Sequence, residues 1–446
     1  CSLSMVRFSL PGLHSKEKRA FRLQFFYQVM QGVILGVLAL NEFVFIKSLQ
    51  GTNYQLGFLF QFSMIVFTFL IVFNELRKRI KNKRKMLRIV GLVTRLPLLL
   101  IFFFPVSQQE FTSSHFYHYI FLGIFLFYYF GNIMIFPAIN VLLKTNYRHE
   151  NFGKLYSYTT SINKLVTMAT IFFYGLLLDV DNYAFTYVIP LAGIMGLTAV
   201  FALSGIDYSN VLQTPSAGSL KESVRTSVMR MVSILKNNKP YLHFEIGFMF
   251  YGFSFMITVV IINIFFEDGL GLNYTSVAFY KNAYNILAII LLPFAGKLLG
   301  NIDPRKFASI TFGSLMIYTL FLLLTDLFPY HTVVWNISFY PLLIVAFLFY
   351  GVFAATMVLL WNIGSAYFCQ PEEADDYQSV HLSLTGIRAI VAPVFGVFFY
   401  EQLGFRGTFI LAIVSLAISV GLMRWSYDRD KKRLAKEAGK APATTG

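Results

Sequence analysis

The sequence predicts an all-α polytopic membrane protein with twelve transmembrane helices in two parallel six-helix repeats. Three observations support this fold class. Hydrophobic residues make up 56% of the 446 residues and charged residues only 13%, about half the charged share of a soluble domain. Apolar runs of about 20 residues, the length that crosses a bilayer core about 30 Å thick, recur along the chain. The second half of the chain also repeats features of the first half at a nearly constant offset.

The predicted spans are apolar runs bounded by charged or turn residues, six before a polar middle segment and six after it. They cover residues 23–47, 55–76, 87–106, 117–140, 155–178, 184–206, 241–266, 275–296, 306–327, 337–361, 378–400 and 405–425. The corresponding domains are an N-terminal half at 1–206, a cytoplasmic middle segment at 207–240, a C-terminal half at 241–427 and a basic, disordered cytoplasmic tail at 428–446. Within the middle segment, residues 220–238 would place apolar side chains on one face of a helix and basic side chains on the other. This pattern predicts an amphipathic helix on the membrane surface.

The basic residues predict the orientation of these spans. Of the 37 Lys and Arg residues, 31 fall in segments on one side of the membrane, whereas the opposite side holds only Lys47 and Arg406. By the positive-inside rule both termini are cytoplasmic, in a multi-pass protein of the cell (inner or plasma) membrane. The net charge of +15 is therefore explained by membrane topology. We expect the lipid bilayer as a partner and no nucleic acid.

An internal repeat relates the two halves. Because each half begins on the cytoplasmic side, the repeats are parallel and related by an axis along the membrane normal. Four pairs carry the repeat at a nearly constant offset: Gly51-Thr-Asn53-Tyr54 and Gly271-Leu-Asn273-Tyr274; Arg84-Lys85 and Arg305-Lys306; Asn140 and Asn362, which end spans 4 and 10; and Gly175…Asp179 and Gly396…Glu401, which close spans 5 and 11.

In this form the sequence resembles the major facilitator superfamily, over essentially the whole chain and in the bacterial type with twelve spans. The loop from Gly296 to Lys306 keeps the Gly, the Leu and the basic pair of the family's loop signature, with Gly300 at the position of the expected Asp. The first copy of the loop, from Asn74 to Arg79, loses the Gly and the Asp. The resemblance implies the major facilitator fold and alternating access. It also implies cytoplasmic gate loops that contain Arg84, Lys85, Gly296, Asp303, Arg305 and Lys306.

Four basic residues fall inside predicted spans and are candidates for substrate binding: Arg95, Lys164, Lys281 and Arg388. Charged side chains at this depth usually face a cavity or a partner. Lys164 and Arg388 lie near the middle of spans 5 and 11, separated by close to the repeat offset, which predicts a clamp on an anionic group. Arg95 and Lys281 each either line the cavity or extend to a membrane surface.

Glu42 is the clearest acidic residue within a span and is the candidate for proton coupling. The alternative is a salt bridge from Glu42 to Lys281 or to another cation, which would hold the carboxylate ionised.

These residues predict a secondary active transporter that moves a small, anionic organic solute by alternating access, with proton symport left open. Two alternatives remain: an exporter of amphipathic or drug-like compounds, and a lipid or lysolipid flippase on the same fold. The sequence has no nucleotide-binding loop and no nucleophile–base array, so we expect no enzyme. We also expect no cofactor, no metal site and a monomer.

Overall fold

The computed structural model describes residues 14–80, 82–147, 149–206, 219–370 and 373–438, and most of these residues are helical. The helices of the N-terminal half are α1 (Ser15–Leu38), α2 (Asn41–Lys47), α3 (Asn53–Ile65), α4 (Leu70–Arg79), α5 (Lys83–Arg95), α6 (Gln108–Ser113), α7 (Phe116–Asn146), α8 (His149–Val180) and α9 (Phe185–Leu203). Turns of 3₁₀ helix at Val66–Phe69 and Leu96–Phe103 join α3 to α4 and extend α5.

The described parts of the middle segment and the C-terminal half, residues 219–370 and 373–438, are mostly helical and include one short hairpin. Their elements are α10 (Leu220–Asn237), α11 (Lys239–Ile264), α12 (Tyr274–Asn301), α13 (Pro304–Leu327), β1 (Thr332–Val334), β2 (Ile337–Phe339), α14 (Pro341–Ile363) and α15 (Ala374–Ala438). A π-helical turn at Phe265–Gly269 continues α11. α15 bends at Gly404, where φ is 65°, a value that glycine adopts readily.

Ten segments among the described residues are long and apolar enough to cross a membrane. The last of them, Asp376–Arg433, is 58 residues long and contains two crossings separated by the bend at Gly404. If this last segment is counted as two crossings, and the helical stretch of α3 and α4 is added, the described ranges contain twelve helical segments of membrane-spanning length. Span 1 is formed by α1 and α2, span 2 by α3 and α4, span 3 by α5 and its 3₁₀ extension, spans 4–6 by α7–α9, spans 7–10 by α11–α14, and spans 11 and 12 by α15.

The predicted start of span 10 at residue 337 is wrong. Residues 337–339 form β2, which pairs antiparallel with β1, and the helix begins at Pro341. Trp335 and Asn336 have φ values of 48° and 62°, as a tight two-residue hairpin turn requires. Pro341 then suits the first turn of a helix, where its missing N–H leaves no hydrogen bond unmade. The apolar composition of β2 explains the error.

The prediction of a disordered tail from residue 428 is wrong for residues 428–438, which continue α15. Asp430 is buried and forms an ion pair of 2.6 Å with Arg305 at the start of α13. This contact between spans 9 and 12 extends the last helix beyond its apolar part. Residues 439–446 lie outside the described part of the chain.

The middle segment contains α10, whose first turn is closed by a capping box between Ser219 and Glu222. The Ser219 backbone N–H, which donates to Glu222, lowers the pKa of that carboxyl below its ordinary value. Val228 and Val232 are exposed on α10, and Arg230 forms an ion pair of 2.7 Å with Asp376 at the start of α15. The helix thus carries exposed apolar and basic side chains together.

We expect Asp430→Asn to lower the free energy of unfolding by roughly 3 kcal/mol, because it leaves the Arg305 guanidinium buried with its charge incompletely balanced. The midpoint of thermal unfolding of the purified protein would measure this loss. Asp428→Asn is the matched control, since Asp428 is exposed two residues earlier on the same helix. Equal midpoints for the two variants would contradict the proposed role of the ion pair.

Candidate functional site

The two halves meet where α8 packs on α12 and where α3 and the following 3₁₀ turn pack on α15. Glycine allows close approach at both contacts. A Cβ atom on Gly386 would lie 2.4 Å from the backbone nitrogen of Thr68, and one on Gly175 would lie 2.9 Å from the Cβ of Ala278. Small residues at helix interfaces in membranes permit this kind of backbone contact. Spans 5 and 8, and spans 2 and 11, therefore form two close seams between the halves.

Asp179 joins the halves at the distal end of the bundle, which we define as the end where α2 finishes and α12 begins. Its carboxylate accepts hydrogen bonds of 2.8 Å from the backbone N–H groups of Tyr274 and Thr275, and another from the Thr275 hydroxyl. These N–H groups belong to the first turn of α12, where no helical carbonyl can accept them. The end of span 5 thus caps the start of span 8.

A second carboxylate makes a related contact on the other seam. Glu401, near the end of span 11, accepts a hydrogen bond of 2.8 Å from the Tyr54 hydroxyl at the start of span 2. Asp179 and Glu401 are repeat counterparts in the sequence, as are Tyr274 and Tyr54. Lys47 adds an ion pair of 2.9 Å with Glu267 between the halves. The distal end is held closed by acidic residues on both seams.

A cavity of about 340 Å³ lies between the halves. Spans 1, 2 and 5 form one side of it and spans 7–10 form the other. Most of the wall is aromatic or aliphatic, and the polar atoms come from a few side chains. The charged and polar side chains in the wall are Glu42, Thr167, Thr258, Asn263, Lys281, Tyr284, Asn285, Tyr318 and Tyr350.

Lys281 extends from α12 to the break in span 1. Because α1 ends at Leu38 and α2 begins at Asn41, the chain between them is not regular helix. The Lys281 ammonium donates to the Ala39 carbonyl in this break, and so crosses from one half to the other. A cation is favoured beside the carbonyl end of a helix. Lys281 therefore lines the cavity and does not extend to the membrane surface.

Glu42 lies in α2, three residues after Ala39, and lines the same cavity as Lys281. Among the described residues, no ion pair within 4.0 Å joins Glu42 to Lys281. The predicted alternative of a direct salt bridge is thus absent in this conformation. The two opposite charges come from opposite halves and line one cavity.

Lys164 lines a smaller neighbouring cavity of about 90 Å³ between spans 1, 5 and 8. The smaller cavity shares Thr167 and Asn285 with the larger one. Lys164 is therefore close to the candidate site without belonging to its wall.

Arg388 is buried inside the C-terminal half, where it donates a hydrogen bond of 2.6 Å to the carbonyl of Phe248. The N-terminal half has a matching contact: Asn163 donates at 2.8 Å to the carbonyl of Gln28, which is the repeat counterpart of Phe248. The contact of Arg388 thus corresponds to that of Asn163, one residue before Lys164. Arg388 lines neither cavity, so the structure does not bring Lys164 and Arg388 together, and the clamp stays a prediction.

Arg95 is buried within the N-terminal half. It donates to the carbonyl of Tyr128 at 3.2 Å and to the side chain of Asn132 at 3.0 Å. Its guanidinium lies 4.0 Å from the centre of the Tyr128 ring, a cation–π contact. Arg95 therefore joins spans 3 and 4, and neither lines the described cavities nor extends to the surface.

The predicted gate residues of the second half lie at the turn between α12 and α13. Asp303 caps α13 and binds the Arg305 side chain, and Lys306 lies 4.3 Å from the centre of the Tyr427 ring. These contacts stay within the C-terminal half. Gly296 is exposed on α12, and Arg84 and Lys85 are exposed in the first turn of α5.

Sequence reasoning missed several residues of the site. Asn285 follows Lys281 by four positions and so shares its helix face, a spacing that could have identified it. Asn263 has no such signal. A buried pair between His381 and Glu245, with 3.1 Å between Nδ1 and Oε1, was also missed. Its members are 136 residues apart, and only the fold joins them.

We expect Asp179→Ala to open the distal end, because it removes hydrogen bonds between the halves that contribute about 1 kcal/mol each. The cavity residue Thr167 can be replaced by Cys as a reporter, in a background in which Cys1 and Cys369 are replaced by Ser. This reporter should then react several-fold faster with an impermeant thiol reagent in right-side-out vesicles. Asp181→Ala is the matched control, because within the described part of the chain the Asp181 carboxylate accepts hydrogen bonds from Tyr183 and Tyr187 of its own half and from no residue of the other half. Equal labelling rates in the two variants would contradict this role.

Comparison with known proteins identifies the family of this chain. The family description Major Facilitator Superfamily matches residues 20–340. No curated protein matches the chain by sequence.

Solved structures share the fold at low sequence identity. The nucleoside transporter NupG aligns with a TM-score of 0.65 and 13% identity, over 93% of this chain and 99% of that one. A POT family transporter in complex with 5-aminolevulinic acid aligns at 0.68 and 12%, over 92% and 96%. A bacterial homologue of the human lysosomal transporter Spinster, inward-facing and unoccupied, aligns at 0.60 and 11%, over 93% and 98%. The fold class predicted from the sequence is confirmed, and the chain belongs to the major facilitator superfamily.

Proposed function

We propose that this transporter moves a small organic anion across the membrane by alternating access, and that the cavity lined by Glu42 and Lys281 is its solute site. One observation carries the proposal: a cation and an acid from opposite halves line a single cavity of about 340 Å³. Cavities of about 300 to 1,000 Å³ hold small-molecule ligands. The fold is that of a secondary transporter, and the cavity contains the charged groups that would bind the solute.

The contacts between the halves support alternating access. Asp179 and Glu401 close the distal end, which the distribution of basic residues predicts to be the outer end. A broken helix at the site is typical of secondary transporters, whose substrates bind near the middle of the bilayer. The closed outer end corresponds to an inward-facing state in this proposal. The protein lies in the cell membrane as a monomer with both termini cytoplasmic.

Lys281 is the anion-binding group in this proposal. Its ammonium carries three donors, of which one is engaged by Ala39, so donors remain for a carboxylate or a phosphate. Asn263 and Asn285 offer neutral hydrogen bonds, and aromatic rings cover the rest of the solute. This charged wall favours a small polar solute over the amphipathic exporter and the lipid flippase. A nucleoside transporter and a transporter bound to 5-aminolevulinic acid share the fold, which supports cargo of this size.

Charge balance supports proton symport. Glu42 and Lys281 together have no net charge, so a bound anion leaves one negative charge in a mostly apolar cavity. An unbalanced buried charge is strongly unfavourable. A proton on Glu42 restores neutrality, and the anion and the proton then bind together.

We expect Lys281→Gln to weaken anion binding by about tenfold or more, because it removes the cation from the cavity. Isothermal titration of the purified protein with acetate, lactate, benzoate, phenylpropanoate and glycerol phosphate would measure this loss. Lys281→Arg should retain part of the affinity. Lys221→Gln, an exposed change on α10, is the matched control.

Lys164→Gln and Arg388→Gln complete the series. We expect a smaller effect from Lys164, which lines the neighbouring cavity, and a loss of stability from Arg388, which holds spans 7 and 11 together. A loss of anion affinity in both variants, with Lys281→Gln unaffected, would favour the predicted Lys164–Arg388 clamp over the present proposal.

Anion binding by the wild-type protein should strengthen as the pH falls, by up to about tenfold per pH unit where one proton binds with each anion. Glu42→Gln should bind the same anion with little dependence on pH, because the amide is permanently neutral. Glu110→Gln, in an exposed loop helix, is the matched control. A wild-type affinity that does not change between neutral and acidic pH would exclude Glu42 as the coupling site.

A further inference from the structure

We infer that the preferred solute is a small zwitterion, whose carboxylate binds Lys281 and whose ammonium binds Glu42. The inference rests on the proposed function, because it places both ends of the solute in the same cavity. It assigns a cationic group to a solute for which the sequence predicts only an anionic one.

The arrangement of the two charges supports the inference. Glu42 and Lys281 line one cavity but are not paired within 4.0 Å in the described structure. The Lys281 ammonium donates to the Ala39 carbonyl instead. Opposite charges in an apolar enclosure attract each other strongly when nothing lies between them. Two opposite charges that come from opposite halves, line one cavity and are not paired with each other match a ligand that carries the opposite charge at each end.

The hydrogen-bonding capacity of each charge fits the same ligand. Among the residues that the structure describes, no side chain donates a hydrogen bond to the Glu42 carboxylate, which is bonded by its own backbone N–H, so its remaining lone pairs can accept from a solute. A primary ammonium supplies three donors, and a carboxylate accepts the remaining donors of Lys281. Charge-assisted hydrogen bonds of this type are about twice as strong as neutral ones.

The cavity wall beside Glu42 and Lys281 can bind the uncharged middle of a zwitterionic solute. The rings of Tyr284 and Tyr350 meet at 88° with 4.7 Å between their centres, and both line the cavity beside Phe347. Ring faces also attract ammonium groups. Asn263 and Asn285 can bond a neutral carbonyl or amide between the two ends. A compact amino acid or a short peptide has these features.

Charge balance distinguishes the zwitterion from a simple anion. A zwitterion adds no net charge, so the occupied cavity is neutral while Glu42 stays ionised. A simple anion needs a proton on Glu42 to reach the same balance. Affinity for the zwitterion should therefore depend little on pH near neutrality, whereas affinity for the anion should rise in acid.

The test compares pairs of compounds that differ by the amino group: alanine with propanoate, phenylalanine with phenylpropanoate, and glycyl-phenylalanine with acetyl-phenylalanine. Isothermal titration at neutral pH should give about tenfold or more tighter binding for the amino member of at least one pair. Glu42→Gln should remove this gain, and Glu42→Asp should keep much of it. The methyl ester of the preferred amino compound should bind weakly, since it lacks the carboxylate for Lys281.

Each outcome tests the zwitterion inference, the proposed anion site, or both. Equal affinity within every pair, together with weaker binding in Lys281→Gln, would overturn the zwitterion and leave the anion site standing. An amino gain that survives in Glu42→Gln would overturn the assignment to Glu42. Failure of the wild-type protein to bind any member of the three pairs would overturn both the inference and the proposed function. Thermal midpoints of the Glu42 variants equal to that of the wild type would show that they are folded.

Discussion

The break in span 1 between Leu38 and Asn41 is the feature on which the candidate site depends. A membrane-spanning chain must satisfy its backbone polar groups internally, and irregular backbone is tolerated only where it is buried in protein or lines a cavity. Here the Ala39 carbonyl is bonded by a side chain from the other half, that of Lys281. The same break starts a new helix that carries Glu42 into the cavity wall. One interruption of a helix thus brings a carbonyl, a cation and an acid together.

The framework of the protein follows the internal repeat, whereas the charges of the site do not. Asp179 and Glu401 make related contacts on the two seams, and Asn163 and Arg388 bond equivalent carbonyls within their halves. In the register that aligns Gly51 with Gly271, however, Glu42 corresponds to Ile262, and Lys281 corresponds to Gln61. Each half therefore contributes one charge that its counterpart lacks. The two halves are related by the repeat, but the charges that they place in the cavity differ, as the binding of a solute with two different ends requires.

The sequence was sufficient to predict the spans, the two halves and the identity of Lys281 and Glu42 as candidates, because hydropathy and rare buried charges are local properties. The partners of those charges were not predictable, because they depend on helix rotation. Adjacent residues on a helix point about 100° apart, so Asn163 bonds the Gln28 carbonyl of span 1, whereas Lys164, one residue later, lines the smaller cavity without making that contact. The helical tail was missed for a related reason, since the Arg305–Asp430 pair joins residues 125 positions apart.

The bond from Lys281 to the Ala39 carbonyl has a consequence for the coupling of solute binding to movement. This bond links the halves at the depth of the cavity. In the proposal that Lys281 binds the solute carboxylate, one ammonium would hold the solute and the Ala39 carbonyl at the same time, because it has three donors. The solute would then bind directly at a contact that must change when the halves move. Solute binding and movement of the halves would in this way be linked through one side chain.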